Sequence, residues 1–256
     1  MQENYLPWAI KVEDFPNQGS VENQLKFLLG FAILAPSGHN SQPWNFKIQN
    51  NSVEFLVNKE RSLEKSDPER RQLLIAMGCA VENFLIATDY YGFTCNVNYF
   101  TQSGNKDLVA SVGLEKVSEV KNNPSHLVFS IPKRLTNRNK YKLQVPPQEF
   151  LEKLKGFSSE DFKISIVMDQ EKRNQIADIV NRAQMEAMDS DSFREELSHY
   201  IKSNFTKDKV GMPGFTLGMP WFISLIASRL IRKVNMSRKT KKQDDALLKE
   251  HTPAFV

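Results

Sequence analysis

Cysteine and histidine are scarce in this sequence of 256 residues. Its two cysteines form no C-x-x-C pair, and none of its four histidines is spaced as H-x-x-x-H or H-E-x-x-H. These absences argue against a disulfide scaffold and leave a zinc site without support. We expect no metal ligands, and we expect Cys79 and Cys95 to behave as small apolar residues.

Long apolar runs and a leader pattern are also missing. No stretch reaches about 18 uninterrupted apolar residues, the length that suggests a membrane-spanning helix. The first residues, M-Q-E-N-Y-L-P-W, show no basic segment followed by an apolar one. With 40% hydrophobic and 25% charged residues, the composition predicts a folded cytoplasmic protein with one large or two small domains.

Three common functional motifs are absent. No G-x-G-x-x-G follows a strand, and neither G-x-x-x-x-G-K-[ST] nor G-x-S-x-G occurs. A Rossmann dinucleotide site, a P-loop and a hydrolase elbow are therefore disfavoured. Ser37 and His39 are close in sequence, but no carboxylate is evident to orient them, so a Ser-His hydrolase is disfavoured too. We predict no catalytic acid, base or nucleophile.

Acidic residues are missing from one interval that is rich in cations. The net charge is +4, and seven basic residues lie within 229–242. Such a run is typical of a solvated helix face or a connector, and the alternatives are a polyanion-binding or membrane-surface patch. Because no nucleic-acid-binding motif accompanies it, we expect no nucleic-acid partner. The basic residues are Arg229, Arg232, Lys233, Arg238, Lys239, Lys241 and Lys242.

The first half of the chain alternates between helical and strand patterns. Ser20 predicts the start of a helix through residue 35, and apolar alternation on both sides of Asn50-Asn51 predicts a β-hairpin over 44–57. Asp67 as N-cap, Pro68 at the first helical position and Gly92 as stop predict a long core helix. Two strands follow, over 93–99 and 108–114.

The second half gives weaker signals. The segment 123–131 fits a short helix or a strand equally well. We predict further helices after Pro146-Pro147, from Asp169 to residue 188 and over 193–204, and a buried strand over 162–168. Residues 221–231 predict a buried or lid-like helix, with membrane-surface attachment as the alternative. Residues 237–250 predict a charged, mobile tail.

The most informative stretch is residues 35–46, A-P-S-G-H-N-S-Q-P-W-N-F. Two prolines fix φ at both ends of a polar loop, and Gly38 is expected to supply a positive φ between them. The short side chains of the loop present amide and hydroxyl groups to a partner. An ordinary Asx/Pro turn anchored by Trp44 is the alternative interpretation.

A second cluster lies in the run I-P-K-R-L-T-N-R-N-K-Y over 131–141. Two guanidiniums, with a hydroxyl and an amide between them, suit a phosphate group, because Arg donates bidentate charge-assisted hydrogen bonds. A solvent-exposed basic turn is equally compatible with these residue types.

Three segments together resemble the FMN-dependent nitroreductase family. They are P-S-x-x-N-x-Q-P-W over 36–44, G-C-A-V-E-N-F-L-I-A-T-D-Y-Y-G-F over 78–93, and R-x-T-N-R over 134–138. They look most like the divergent, fused-dimer branch, in which one chain holds two nitroreductase-like halves. The resemblance implies an α+β fold with a mixed, mainly antiparallel sheet wrapped by helices. It also implies a first half over 1–120 and a partial second half over 121–256 carrying a lid-like helical segment.

The resemblance also implies a cofactor site for FMN. Pro36, Ser37, Gly38, Asn40 and Gln42 would lie against the flavin ring, and the second cluster would bind its phosphate and ribityl end. The implied partners are NAD(P)H, a small aromatic acceptor, and a second copy or a pseudo-dimer half within a longer chain. The residues of the second cluster are Arg134, Thr136, Asn137 and Arg138.

Relative to the family pattern, the chain is expected to lack the C-terminal part of the second half. Three hypotheses follow. The first is an NAD(P)H oxidoreductase that reduces nitroaromatic or quinone-like acceptors. The second is a flavin-binding or flavin-sequestering protein without turnover. The third is a non-flavin protein on a degenerate form of the fold.

Overall fold

A computed structural model describes residues 3–100, 104–116 and 126–256. The chain forms two compact units, one of Met1–Thr136 with Glu196–Ser228, the other of Asn137–Glu195 with Arg229–Val256. Each unit is built from two separate stretches of the chain. The assignment of two nitroreductase-like halves that meet near residue 120 stays a prediction.

The first unit contains a four-stranded antiparallel sheet. Its strands are β1 (Trp44–Gln49), β2 (Ser52–Val57), β3 (Phe93–Tyr99) and β4 (Leu108–Lys116), in the order β1-β2-β4-β3. The predicted hairpin is confirmed, with Trp44 opposite Val57 and Gln49 opposite Ser52. The predicted α+β class with a mainly antiparallel sheet is therefore confirmed.

Helix α1 (Val21–Ala32) begins where the sequence predicts. The Ser20 hydroxyl accepts a hydrogen bond from the Asn23 amide at 3.3 Å. The helix ends three residues earlier than predicted, because Leu34 and Ala35 donate to carbonyls only three residues back. Pro36 disfavours the helical conformation of the residue before it, so the chain leaves the helix here.

Helix α2 (Arg71–Tyr90) is the predicted core helix and packs on α1 and on the sheet. Phe84, fully buried, meets Phe55 of β2 edge-on with 5.5 Å between ring centroids. Gly78 of this helix is exposed, and a Cβ there would meet nothing within 4 Å, so it mediates no close helix approach. By length and composition α2 could also cross a membrane, yet one of its faces forms the core of this unit.

The start of α2 differs from the prediction. Arg70 adopts a left-handed conformation (φ 58°), so the helix begins at Arg71, and Pro68 is not its first residue. Asp67 caps the helix from outside, since its carboxylate accepts hydrogen bonds from the amides of Gln72 at 3.1 Å and Leu73 at 2.8 Å. The sequence identified Asp67 correctly as the capping residue. It did not predict the turn through Arg70 that separates Asp67 from the helix.

This cap gives a testable prediction. We expect Asp67→Ala to lower the free energy of unfolding by about 0.5–2 kcal/mol, because two amides of the first turn lose their acceptor. Asp67→Asn should recover only part of the loss, since an Asn side chain has one acceptor oxygen in place of the two that Asp67 uses. Urea denaturation of the three proteins measures the difference, and equal stability of the alanine variant and the parent would contradict the assigned cap.

The first unit is completed by a later part of the chain. Helix α5 (Asp191–Tyr200) crosses from the second unit into the first and ends before residue 204, the predicted end. Beyond it, β5 (Ile201–Lys202) pairs in parallel with β6 (Met212–Pro213).

Two short helices occupy the segment where one buried or lid-like helix was predicted. They are α6 (Trp221–Ser224) and α7 (Ala227–Lys233). Trp221 and Phe222 are 60% and 54% exposed, so the prediction of a buried helix is wrong for these side chains. The buried positions of this segment are Ser224, Ala227 and Ile231. The lid and membrane-surface roles stay predictions.

The second unit is mostly helical. The helices predicted after Pro147 and after Asp169 are confirmed as α3 (Gln148–Lys155) and α4 (Gln170–Asp189). Residues 237–250 form α8 (Ser237–Asp245) and a π-helical turn (Ala246–Glu250) rather than an irregular tail.

Two strand or helix predictions in the second half need correction. Residues 162–168 do not form a buried strand, because Phe162 is 60% exposed and only Val167 makes a bridge, to Phe255. The predicted helix start at Asn123-Pro124 lies outside the described residues. From His126 to Lys133 the chain forms two 3-10 turns. They are neither the short α-helix nor the strand that the sequence left as alternatives.

Candidate functional site

The loop of residues 36–42, called the site loop below, has an unusual backbone. His39, Asn40 and Gln42 have φ values of 51°, 52° and 51°. Positive φ is uncommon for residues other than glycine, and such strain of order 1–3 kcal/mol per residue persists only where neighbouring contacts impose it. Gly38, which was expected to supply the positive φ, does not have one. Three strained residues within four positions make this loop a candidate functional site.

Contacts inside the first unit hold the loop from one side. The Ser37 hydroxyl accepts a hydrogen bond from the Gln42 amide at 3.0 Å and closes the loop on itself. A Cβ on Gly38 would come within 2.9 Å of the Leu63 side chain and 3.1 Å of Gln72 Oε1. A larger residue at this position would therefore require the ends of these two side chains to shift.

A distant segment, residues 209–211, holds the loop from the other side. The Asn40 side-chain amide donates to the Gly211 carbonyl at 2.8 Å, and the Gly211 amide donates to the Asn40 carbonyl at 3.0 Å. The Gln42 side-chain amide donates to the Lys209 carbonyl. Sequence reasoning missed this clamp, whose partners are as far apart as 171 residues.

His39 is connected to helix α5 through Ser66. His39 Nε2 lies 3.3 Å from Ser66 Oγ, and the Ser66 hydroxyl in turn contacts the Glu196 carboxylate. Tyr200, one helical turn after Glu196, places its ring centroid 6.0 Å from that of His39. Burial lowers the pKa of His39 from its ordinary value, and the negative charge of Glu196 partly opposes this shift.

The pKa of His39 predicts a pH dependence of stability. Because the folded state lowers this pKa, the unfolded state binds the proton more readily, and protonation favours unfolding. The free energy of unfolding should be highest above about pH 6.5, the ordinary His value, and should fall as the pH drops from there toward the folded-state pKa. Urea denaturation of the parent and of His39→Gln across this range isolates the contribution, which should be absent in the variant.

Arg134 lies beside the start of the site loop. Its Nη2 donates to the Leu34 carbonyl at 3.2 Å, two residues before Pro36, and its guanidinium carbon is 5.7 Å from the Trp8 ring centroid. Its Nε atom is buried and has no hydrogen-bond partner among the described residues. Burial lowers the pKa of Arg134, but an arginine stays charged at neutral pH. A charged, half-buried guanidinium beside the loop suits an anionic group.

The other members of the second cluster are exposed. Thr136 ends the first stretch of the first unit, and Asn137 and Arg138 belong to the second unit. Asn137 Oδ1 accepts from the Asn139 amide at 3.0 Å, which forms a local turn. Within the first unit, the structure therefore brings one guanidinium of the predicted phosphate cradle, that of Arg134, near the site loop.

A cleft of about 280 Å³ lies on the same unit. It lies among residues that connect β2 to α2 and the first turn of that helix, and none of the nine predicted site residues lines it. A cavity of about 10 Å³, partly lined by Gly38 and Ser41, lies closer to the site loop. The cleft is lined by Lys59, Ser62, Leu63, Glu64, Asp67, Pro68, Arg70 and Leu73.

The residues around the site loop fit a flavin phosphate in part. Arg134 supplies a half-buried guanidinium, and Pro36, two residues after its hydrogen-bond partner Leu34, supplies an exposed apolar surface. The amide nitrogens of Asn40 and Gln42 are occupied by the 209–211 clamp, which leaves their side-chain oxygens as acceptors. A ring imide N–H is the kind of donor these oxygens can bind. Together, the cationic donor and these acceptor oxygens suit a heterocycle that bears an anionic group.

Comparison with curated proteins confirms the resemblance to nitroreductases. The chain is 28% identical over 127 residues to a Mycobacterium tuberculosis protein named "Putative NAD(P)H nitroreductase Rv3131", an alignment covering 50% of this chain and 36% of the relative. It is 32% identical over 88 residues to "Putative NAD(P)H nitroreductase acg" of the same organism, covering 34% and 27%.

A third relative carries no functional name. It is "Uncharacterized protein Rv3127" of Mycobacterium tuberculosis, 30% identical over 118 residues, which cover 44% of this chain and 34% of that protein. No family model matches the chain. The chain spans about a third of the length of the curated relatives it matches.

Proposed function

We propose that this protein is an FMN-binding oxidoreductase of the nitroreductase type, which uses NAD(P)H to reduce nitroaromatic or quinone-like acceptors. The observation that carries the proposal is the strained site loop beside the half-buried guanidinium of Arg134. The names of two relatives support the nitroreductase assignment. They name no flavin, and FMN is proposed from the resemblance and from the donors on this loop.

The residues of the first unit have distinct proposed roles toward the cofactor. Arg134 would bind the phosphate, because its guanidinium is charged, half-buried and beside the start of the site loop. The side-chain oxygens of Asn40 and Gln42 would accept from the ring, and Pro36 would lie against its apolar face. Ser37 would act indirectly by closing the loop through the Gln42 amide.

FMN, when bound, supplies hydride-transfer chemistry between NAD(P)H and the acceptor. The protein is then required to bind, orient and shield the ring, and its contacts tune the ring's redox behaviour. This division of work fits a site loop in which we assign no nucleophile or general base. Thr136, Asn137 and Arg138 are proposed as further contacts at the phosphate and ribityl end.

Anaerobic reduction tests the proposal. The protein is loaded with FMN and desalted, and its visible absorption is followed after addition of NADH or NADPH. We expect at least one of the two nucleotides to bleach the flavin, and a quinone to restore the oxidised spectrum. A flavin-loaded protein that neither nucleotide reduces would overturn the oxidoreductase assignment.

A second candidate function is flavin binding without turnover. The contacts proposed for Arg134 and the site loop favour it, because they would bind a flavin and include no assigned site for a second substrate. Rapid steady-state consumption of NAD(P)H with a quinone acceptor would exclude it.

For the proposed oxidoreductase, the site would be expected to operate in the cytoplasm, where NAD(P)H is available.

A further inference from the structure

Helix α5 reaches the site loop through a chain of polar side chains that the proposed cofactor contacts do not use. Glu196 Oε2 accepts from the Lys65 amide at 2.9 Å, and Oε1 accepts from the Ser66 amide at 2.9 Å and from the Ser66 hydroxyl. One carboxylate thus takes three hydrogen bonds from two consecutive residues. All of these groups belong to the first unit.

The chemistry of the three groups sets the direction of the hydrogen bonds. A carboxylate only accepts, so the Ser66 hydroxyl donates its single proton to Glu196. The Ser66 oxygen can then only accept from His39 Nε2, which must carry a proton. The connection therefore runs from His39 to Ser66 to Glu196, and each bond determines the direction of the next.

His39 is itself one of the strained residues, with φ 51°. Its ring is held by Ser66 on one side and faces Tyr200 of α5 on another. Arg61 is a further charged group near Tyr200, and its positive charge lowers the pKa of that residue against the larger effect of burial. Loss of the Ser66 contact would remove one of the restraints that keep the loop in its left-handed conformation.

We propose that Glu196 is a positioning residue that acts through Ser66 and His39 to hold the site loop in its binding conformation. Glu196 does not need to touch the cofactor. The connection ties the order of residues 36–42 to the end of helix α5. Its consequence for flavin rests on the proposed function, whereas its consequence for the loop does not.

Two variants separate the parts of this connection. Ser66→Ala removes the hydroxyl between His39 and Glu196 but leaves the carboxylate bonded to the amides of residues 65 and 66. Glu196→Gln keeps the size of the side chain but removes its charge. Glu195→Gln is the matched control, since Glu195 is the adjacent carboxylate on the same helix and pairs with Arg232 instead.

The first readout is made on the full chain without flavin. Amide hydrogen exchange of residues 37–42 should become faster in Ser66→Ala and Glu196→Gln and stay unchanged in Glu195→Gln. Proton NMR titration, with His39→Gln used for assignment, should show a lower pKa of His39 in Glu196→Gln, because the opposing negative charge is lost. Ser66→Thr, which restores a hydroxyl, should recover the slow exchange.

The second readout is the affinity for FMN. Ser66→Ala and Glu196→Gln should weaken it by roughly three- to tenfold, the equivalent of about one lost hydrogen bond, and Glu195→Gln should not. Unchanged loop exchange and an unchanged His39 pKa in both variants would overturn the positioning role. If the parent chain does not bind FMN but the exchange and titration results hold, the proposed function fails and this inference stands.

Discussion

Replacing Gly211 with alanine is expected to release the site loop and to abolish tight FMN binding. Gly211 has φ 97°, and a Cβ at this position would lie 2.7 Å from the Tyr200 carbonyl oxygen and 2.9 Å from the Lys202 side chain. The backbone conformation should cost about 1–3 kcal/mol, and the overlap a similar further amount of about 1–3 kcal/mol. Because Gly211 exchanges two hydrogen bonds with Asn40, its displacement breaks the clamp on the loop.

The chain offers a matched control for this variant. Gly218 also has a positive φ, 70°, but a Cβ there would meet nothing within 4 Å. Gly218→Ala should therefore show only the conformational cost, at the lower end of about 1–3 kcal/mol, and should keep its FMN affinity. Urea denaturation and calorimetric titration with FMN measure both effects. Equal behaviour of the two alanine variants would show that the close approach to Tyr200 does not matter.

The second large effect is expected for Arg134→Ala. Removing the guanidinium should weaken FMN binding by about 1.5–3 kcal/mol, the range for hydrogen bonds to charged groups. Arg134→Lys should recover only part of the affinity, since a lysine keeps the charge but loses the planar set of donors. Calorimetric titration of FMN into each protein provides the measurement.

Lys133 provides the control for this position. It is the preceding cation in the sequence and its side chain is exposed, so Lys133→Ala should leave the affinity nearly unchanged. The comparison separates a specific contact from the general attraction between a positive surface and a phosphate. Unchanged affinity of Arg134→Ala would remove this residue from the site.

Elements fixed by neighbouring residues were predictable from the sequence. The hairpin over β1 and β2 follows from alternation on both sides of Asn50-Asn51, and Ser20 and Asp169 are helix caps that bond amides three residues ahead. In each case the relevant partners lie within a few positions of one another. Local chemistry therefore decides the structure.

Features that depend on distant contacts were not predictable in the same way. The clamp on the site loop joins Asn40 to Gly211, 171 residues away. Positive φ falls on His39, Asn40 and Gln42 rather than on Gly38, and the side-chain contacts of these three residues come from distant parts of the chain. Residues 162–168 were predicted to form a buried strand, but the structure provides a single bridge, from Val167 to Phe255, in place of a sheet.

The visible absorption spectrum of the protein, recorded after incubation with FMN and desalting, tests the central claim most directly. The account predicts that the parent protein and Gly218→Ala retain the flavin bands and that Gly211→Ala and Arg134→Ala lose most of them. A colourless parent protein, or equal retention by all four proteins, would contradict a flavin site formed by the site loop and Arg134.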